Sequence, residues 1–115
     1  EIVPSGDLIQ RFEATLSDEQ IRLHLAAAKH TNTAYEVAWS FIAESVRRDG
    51  RTTEAAVRDA ILAHFRACGL VTDHSPIVGV GPNAGDPHYE TGTRANTTIG
   101  PGDFVCTWFG GIWDW

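Results

Sequence analysis

The strongest constraint on this chain is one long stretch of helical periodicity that carries its own start and stop signals. Ser17-Asp18-Glu19-Gln20 has the form of a capping box, in which the Ser17 hydroxyl accepts from the backbone and Gln20 reaches back. Behind it Ile21, Leu25, Ala28, Asn32, Tyr35, Trp39, Ile42 and Val46 recur at alternating spacings of three and four. That pattern predicts one face of a helix of about 30 residues. Asp49-Gly50 supplies the stop, because glycine takes the left-handed cap conformation without a steric penalty. Arg47-Arg48 then places favourable charge at the negative end of the helix.

A second helix follows at once. Thr52 or Thr53 caps it, Glu54 suits its positive end, and Val57, Ile61, Phe65 and Cys68 form its apolar stripe up to Gly69. Two helices joined by a short turn predict a helical hairpin packed on a sheet. The period changes at Leu70. Ile77, Val78 and Val80 make a β-prone run that stops at Gly81-Pro82-Asn83-Ala84-Gly85, and the polar stretch Thr91 to Thr98 reads as a loop. A turn at Ile99 to Asp103 leads into Phe104 to Phe109, apolar enough for a buried strand. Gly110-Gly111 fits a two-residue hairpin turn into Ile112 to Trp115. The expected division is a lead-in at 1–16 with one helical turn, a helical hairpin at 17–69, and strands and loops at 70–115. This is an α+β chain with two long helices packed on a small, mainly antiparallel sheet.

Composition removes several functions. The net charge of −6 arises from 15 acidic against 9 basic residues, and the basic ones are scattered. Nucleic-acid binding draws its affinity from clustered Lys and Arg, so no nucleic-acid partner is expected. No apolar run approaches the ~20 residues of a membrane span, and the first residues lack a signal-peptide core. No membrane partner and a cytoplasmic location are therefore expected. Cys68 and Cys106 lack a CxxC partner and read as two small buried hydrophobes. Asn96-Thr97-Thr98 matches a glycosylation triplet, with nothing else pointing to secretion.

The informative segment is Ile77-Val78-Gly79-Val80-Gly81-Pro82-Asn83-Ala84-Gly85-Asp86-Pro87-His88-Tyr89, followed by Gly102-Asp103-Phe104-Val105. It resembles the pita-bread metallohydrolases of the aminopeptidase P, prolidase and creatinase type. In that family a strand leads through a Gly-x-Asn turn to a Pro-His-Tyr triplet, and a Gly-Asp pair opens a later strand. The resemblance covers residues 7 to 114 and implies the N-terminal part of a pita-bread catalytic domain, truncated before its metal site is complete. It also implies a metallopeptidase-like hydrolase whose parent enzymes cleave a peptide or small amide. Two divalent metal ions (Mn, Co or Zn) would activate water there, held by two aspartates, a histidine and two glutamates.

His88 matches the family histidine beside the metal pair, where a neutral imidazole can donate to a scissile carbonyl or an oxyanion. It is the candidate catalytic and substrate-binding residue, against the reading of a loop histidine packed on Tyr89. His74, beside Asp73 and just before the strand, is the second candidate substrate-binding residue. His24, His30 and His64 lie on predicted helices with no i, i+4 histidine partner and no HExxH pattern, and read as surface or partly buried residues. Counting from Asp103, the first family ligand falls on Trp108, and the other four would lie beyond Trp115. Asp103 reads as a turn former, and Asp114 precedes the second ligand. No metal ligand and no cofactor is expected in this chain, which is then an inactive fragment of an Xaa-Pro-type hydrolase. The alternative is a non-enzymatic binding or vestigial module that keeps the pocket wall around His88. Trp108, Phe109, Ile112, Trp113 and Trp115 crowd the final eight positions, which predicts self-association or dependence on a missing C-terminal half.

Overall fold

The computed structural model describes residues 5–95 and 97–113, with the side chains of Glu13, Ile112 and Trp113 left out of the description. Among the described residues, three helices and six short strands follow in the order α1 (Gly6–Glu13), α2 (Asp18–Asp49), β1 (Thr52–Thr53), α3 (Glu54–Ala67), β2 (Leu70–Val71), β3 (Ile77–Val80), a 3-10 turn (Gly81–Gly85), β4 (Thr98–Ile99), β5 (Val105–Trp108) and β6 (Ile112–Trp113). The chain is α+β, as the pattern of the sequence requires. The lead-in holds two helical turns where one was expected.

The capping signals work as chemistry predicts. Ser17 Oγ accepts from Gln20 N at 3.2 Å, and Gln20 Oε1 accepts from Ser17 N at 2.9 Å. Gly50 ends α2 at φ 75°, a left-handed conformation that an L side chain would strain. Thr53 is the cap of α3, its Oγ1 accepting from Ala56 N at 3.2 Å.

The buried face of α2 differs from the expected stripe. Ala27, Ala34, Ala38 and Ser45 are buried, while Ile21, Leu25 and Trp39 are exposed. A row of small side chains lets α3 approach closely, and Tyr35, Phe41 and Ile42 pack at the flanks of that contact. Close helix approach selects size as well as polarity, so the centre of the interface lies beside the row of large residues. On α3 the expected stripe holds: Val57, Ile61 and Phe65 are fully buried. Burying each contributes about 1.5–3 kcal/mol.

The strands form three antiparallel two-stranded ladders rather than one sheet. β1 pairs with β4, β2 with β6, and β3 with β5, the last in the register Ile77↔Trp108 to Val80↔Val105. The expected hairpin across Gly110-Gly111 is therefore wrong. β5 and β6 each find a different partner, because Phe109 between them turns inward. Its ring stacks on Tyr35 at 4.2 Å between centroids and meets Phe65 edge-on at 5.9 Å. This aromatic contact pulls the chain off β3 and lays β6 beside β2. β5 is also not the buried strand expected, since only one of its faces is covered and Phe104 and Trp108 are exposed.

Candidate functional site

The segment that carries the candidate site hangs on one buried carboxylate. Glu54, the first residue of α3, is fully buried, and both its oxygens are occupied. Oε1 accepts from Val80 N at 2.6 Å and from Asn83 Nδ2 at 3.1 Å, while Oε2 accepts from the Tyr89 hydroxyl. Its own backbone N–H donates to Thr97 O at 2.9 Å. One side chain thus ties the helix start to β3, to the 3-10 turn and to the loop that follows. A buried carboxylate demands such partners, because stripping it of water costs several kcal/mol.

Thr91 completes the free edge of β3, taking a bond from Val78 N at 2.7 Å and giving one to Val78 O at 3.1 Å. Thr91 O in turn accepts from Arg58 Nη1 at 3.2 Å. The side of β3 turned away from β5 is therefore satisfied by the side chains of Glu54 and Thr91 rather than by another strand. Gly79 is required here: an added Cβ would meet the Asn83 and Ala84 backbone at 3.0 Å.

His88 is exposed, between two anchored neighbours. Tyr89 is buried against Glu54 with Arg94 over its ring, the guanidinium 5.5 Å from the centroid. Asp86 Oδ1 accepts from His88 N at 2.9 Å, and its other oxygen pairs with Arg94. The His88 backbone N–H, and then the Arg94 guanidinium, hold the Asp86 carboxyl below its ordinary value. Burial, and then the Glu54 carboxylate, push the Tyr89 phenol up. The imidazole is thus fixed at its base and open to solvent at its tip.

Asp86 and Pro87 also border a cavity of about 590 Å³ on the outer face of the β3–β5 ladder, with Ile77, Gly79, Cys106 and Trp108 as its floor. His74 is exposed, its carbonyl accepting from Thr72 Oγ1 at 2.8 Å, and it lines two smaller cavities that share Trp108 with the first. His88 lines none of these three cavities, whereas His74 lines two, and Trp108 is the residue common to all three. Cys106, expected to be buried, lies exposed on the same outer face, and Cys68 is only half-buried.

A sequence model of the metallopeptidase M24 family matches residues 22–115. The chain belongs to metallopeptidase family M24. No curated protein matches it. M24 proteins are metal-dependent, so the residues here can be tested against a dinuclear carboxylate centre. They do not fit one. Trp108, where the resemblance would put the first ligand, is an indole with no ligating lone pair. Asp103 Oδ2 accepts from Gly100 N at 2.8 Å as a turn former, Asp86 is taken by His88 and Arg94, and Glu54 is committed inside the core. Asp114 lies outside the described residues. Among the described residues, one group of three metal-capable side chains comes together, His30, His64 and Cys68, and it stands between α2 and α3.

The buried Glu54 was missed by sequence reasoning, which gave it only a dipole role. Its signal was the unpaired Tyr89 hydroxyl and Asn83 amide, two groups that need a partner once buried.

Proposed function

We propose that this chain is the N-terminal part of an Xaa-Pro aminopeptidase or dipeptidase type of M24 catalytic domain, and that the chain by itself does not hydrolyse. The observation that carries this reading is Trp108. The M24 segment from Ile77 to Tyr89 is built and braced, yet at the register position where its β5 partner strand would deliver a carboxylate there is an exposed indole.

The braced loop supports a role in positioning a substrate. His88 stands open beside the wall made by Asp86 and Pro87, where a neutral imidazole would donate to the carbonyl of a peptide or small amide. His74, near Trp108, would set preference for the neighbouring residue. No helix among the described residues is long and apolar enough to cross a membrane, which accords with a cytoplasmic protein. The test is turnover of Xaa-Pro dipeptides with added manganese or cobalt. The expected result is no product above the metal-only control, and stoichiometric turnover would overturn the reading.

The apolar cavity favours a second reading, a non-enzymatic binding module. Its floor of Ile77, Cys106 and Trp108 is suited to holding an apolar side chain without chemistry. Binding of an Xaa-Pro peptide that His88→Ala weakens, in the absence of metal and turnover, would favour this module.

A further inference from the structure

The α2–α3 interface holds a group of side chains that the pita-bread site does not use. His30 projects from α2, while His64 and Cys68 stand four residues apart at the C-terminal end of α3. All three are half-buried, and one ligand atom from each lies within 4.8 Å of the others. We propose that His30, His64 and Cys68 form a mononuclear site for a thiophilic divalent cation of the zinc class, separate from the M24 dinuclear centre.

Four observations converge on this. Residues i and i+4 are neighbours on one helix face, so His64 and Cys68 are presented together by the backbone itself. The His64 Nδ1 to Cys68 Sγ distance is 4.0 Å. Ligand bonds of about 2.0–2.1 Å to nitrogen and 2.3 Å to sulfur put tetrahedral ligands about 3.5 Å apart, so little movement is needed.

The tautomer is also set. His64 Nε2 lies 3.2 Å from the His30 carbonyl oxygen. A carbonyl only accepts, so Nε2 carries the hydrogen and Nδ1 keeps its lone pair, 4.0 Å from the Cys68 sulfur. A ligating imidazole whose other N–H is held by a backbone carbonyl is the arrangement that fixes ring orientation in zinc sites.

The field is favourable as well. Cys68 caps α3, and the negative end of the helix dipole favours a cation. Two imidazoles and a thiolate select zinc-class ions over the hard ions that carboxylates prefer. Binding converts the Cys68 thiol to thiolate and releases its proton to solvent. Three protein ligands leave the fourth tetrahedral position to water. An ion there would clamp α2 to α3, and the sequence hides it because the i+4 partner of His64 is a cysteine rather than a histidine.

Cobalt(II) titration of the full chain tests the site, since a cobalt–thiolate bond absorbs in the near ultraviolet and a carboxylate-bound ion does not. One equivalent of cobalt should raise that band, and zinc should displace it. Cys106→Ser should leave the band intact and Cys68→Ser should abolish it. His30→Gln and His64→Gln should each weaken zinc binding by more than the ~10–100-fold that loss of an outer partner costs. In the Cys106→Ser chain, zinc should also slow alkylation of Cys68, a readout that needs no ligand variant to fold. Absence of the band, its survival in Cys68→Ser, unchanged affinity in both histidine variants, or unprotected alkylation would each overturn the proposal. None of these readouts depends on peptide turnover, so the site stands or falls apart from the hydrolase reading.

Discussion

The two faces of the β3–β5 ladder are made by the same eight residues and end in opposite conditions. The inner face puts Val78 and Val80 into the core against α3, with Glu54 and Thr91 closing the free edge of β3. The outer face leaves Trp108 63% exposed over an apolar cavity, with Cys106 and Ile77 beside it. One face is finished by buried polar bonds, and the other is floored by apolar side chains. The bonds that brace β3 and the His88 loop do not involve the side chains of the outer face.

The sharpest way to break this comparison is Glu54→Ala. It would strand the Tyr89 hydroxyl, the Asn83 amide and the Val80 N–H together, each orphan costing about 1–3 kcal/mol. The expected outcome is a loss of roughly 3–5 kcal/mol in chemical denaturation, or no folded protein, with the His88 loop released first. A stable Glu54→Ala chain would mean that the inner face does not depend on this network.

Gly79→Ala should cost less, about 1–3 kcal/mol, since the new methyl pushes on the Asn83 and Ala84 backbone and must lift the 3-10 turn off β3. Its diagnostic is local. Amide exchange should rise at Asn83 and Ala84 before it rises in α2.

Trp108→Asp probes the outer face and should change stability by no more than about 0.5 kcal/mol, as an exposed substitution does. It should instead lower self-association, because it removes a large apolar side chain from an open patch. Sedimentation of both chains over a concentration series checks this. Equal monomer fractions would show that the patch is not sticky.

The smallest effect is that of pH on the His88 loop. The Asp86 carboxyl is held below its ordinary 3.8, so its contribution is present above that value and is lost as pH falls through it. The Tyr89 phenol is raised above its ordinary 10.0, so its contribution is present below that value and is lost as pH rises past it. Protection of the His88 amide, taken relative to its intrinsic exchange rate at each pH, should therefore be greatest between these limits. Loosening near neutral pH would instead assign the control to an imidazole.

Much of this was legible along the chain. Local signals act over three or four residues, so the Ser17 box, the Gly50 stop, the Thr53 cap and the Val57-Ile61-Phe65 stripe were all readable from spacing and side-chain chemistry. Membership of the family was readable too, because a family pattern is a property of sequence. The partnerships were not. β6 pairs with β2 rather than β5 because Phe109 gains more from stacking on Tyr35 than from extending a hairpin. Ala34 and Ala38 rather than Leu25 and Trp39 meet α3, because a close helix contact admits only small side chains at its centre. Glu54 became the hub of the site because its partners lie 26, 29 and 35 residues away. Periodicity carries no information about contacts at that separation. What the sequence determined by itself was which segments would be helices and which family pattern they carry. Only the tertiary structure decided which buried polar groups meet, because that depends on where separate elements come to rest against one another.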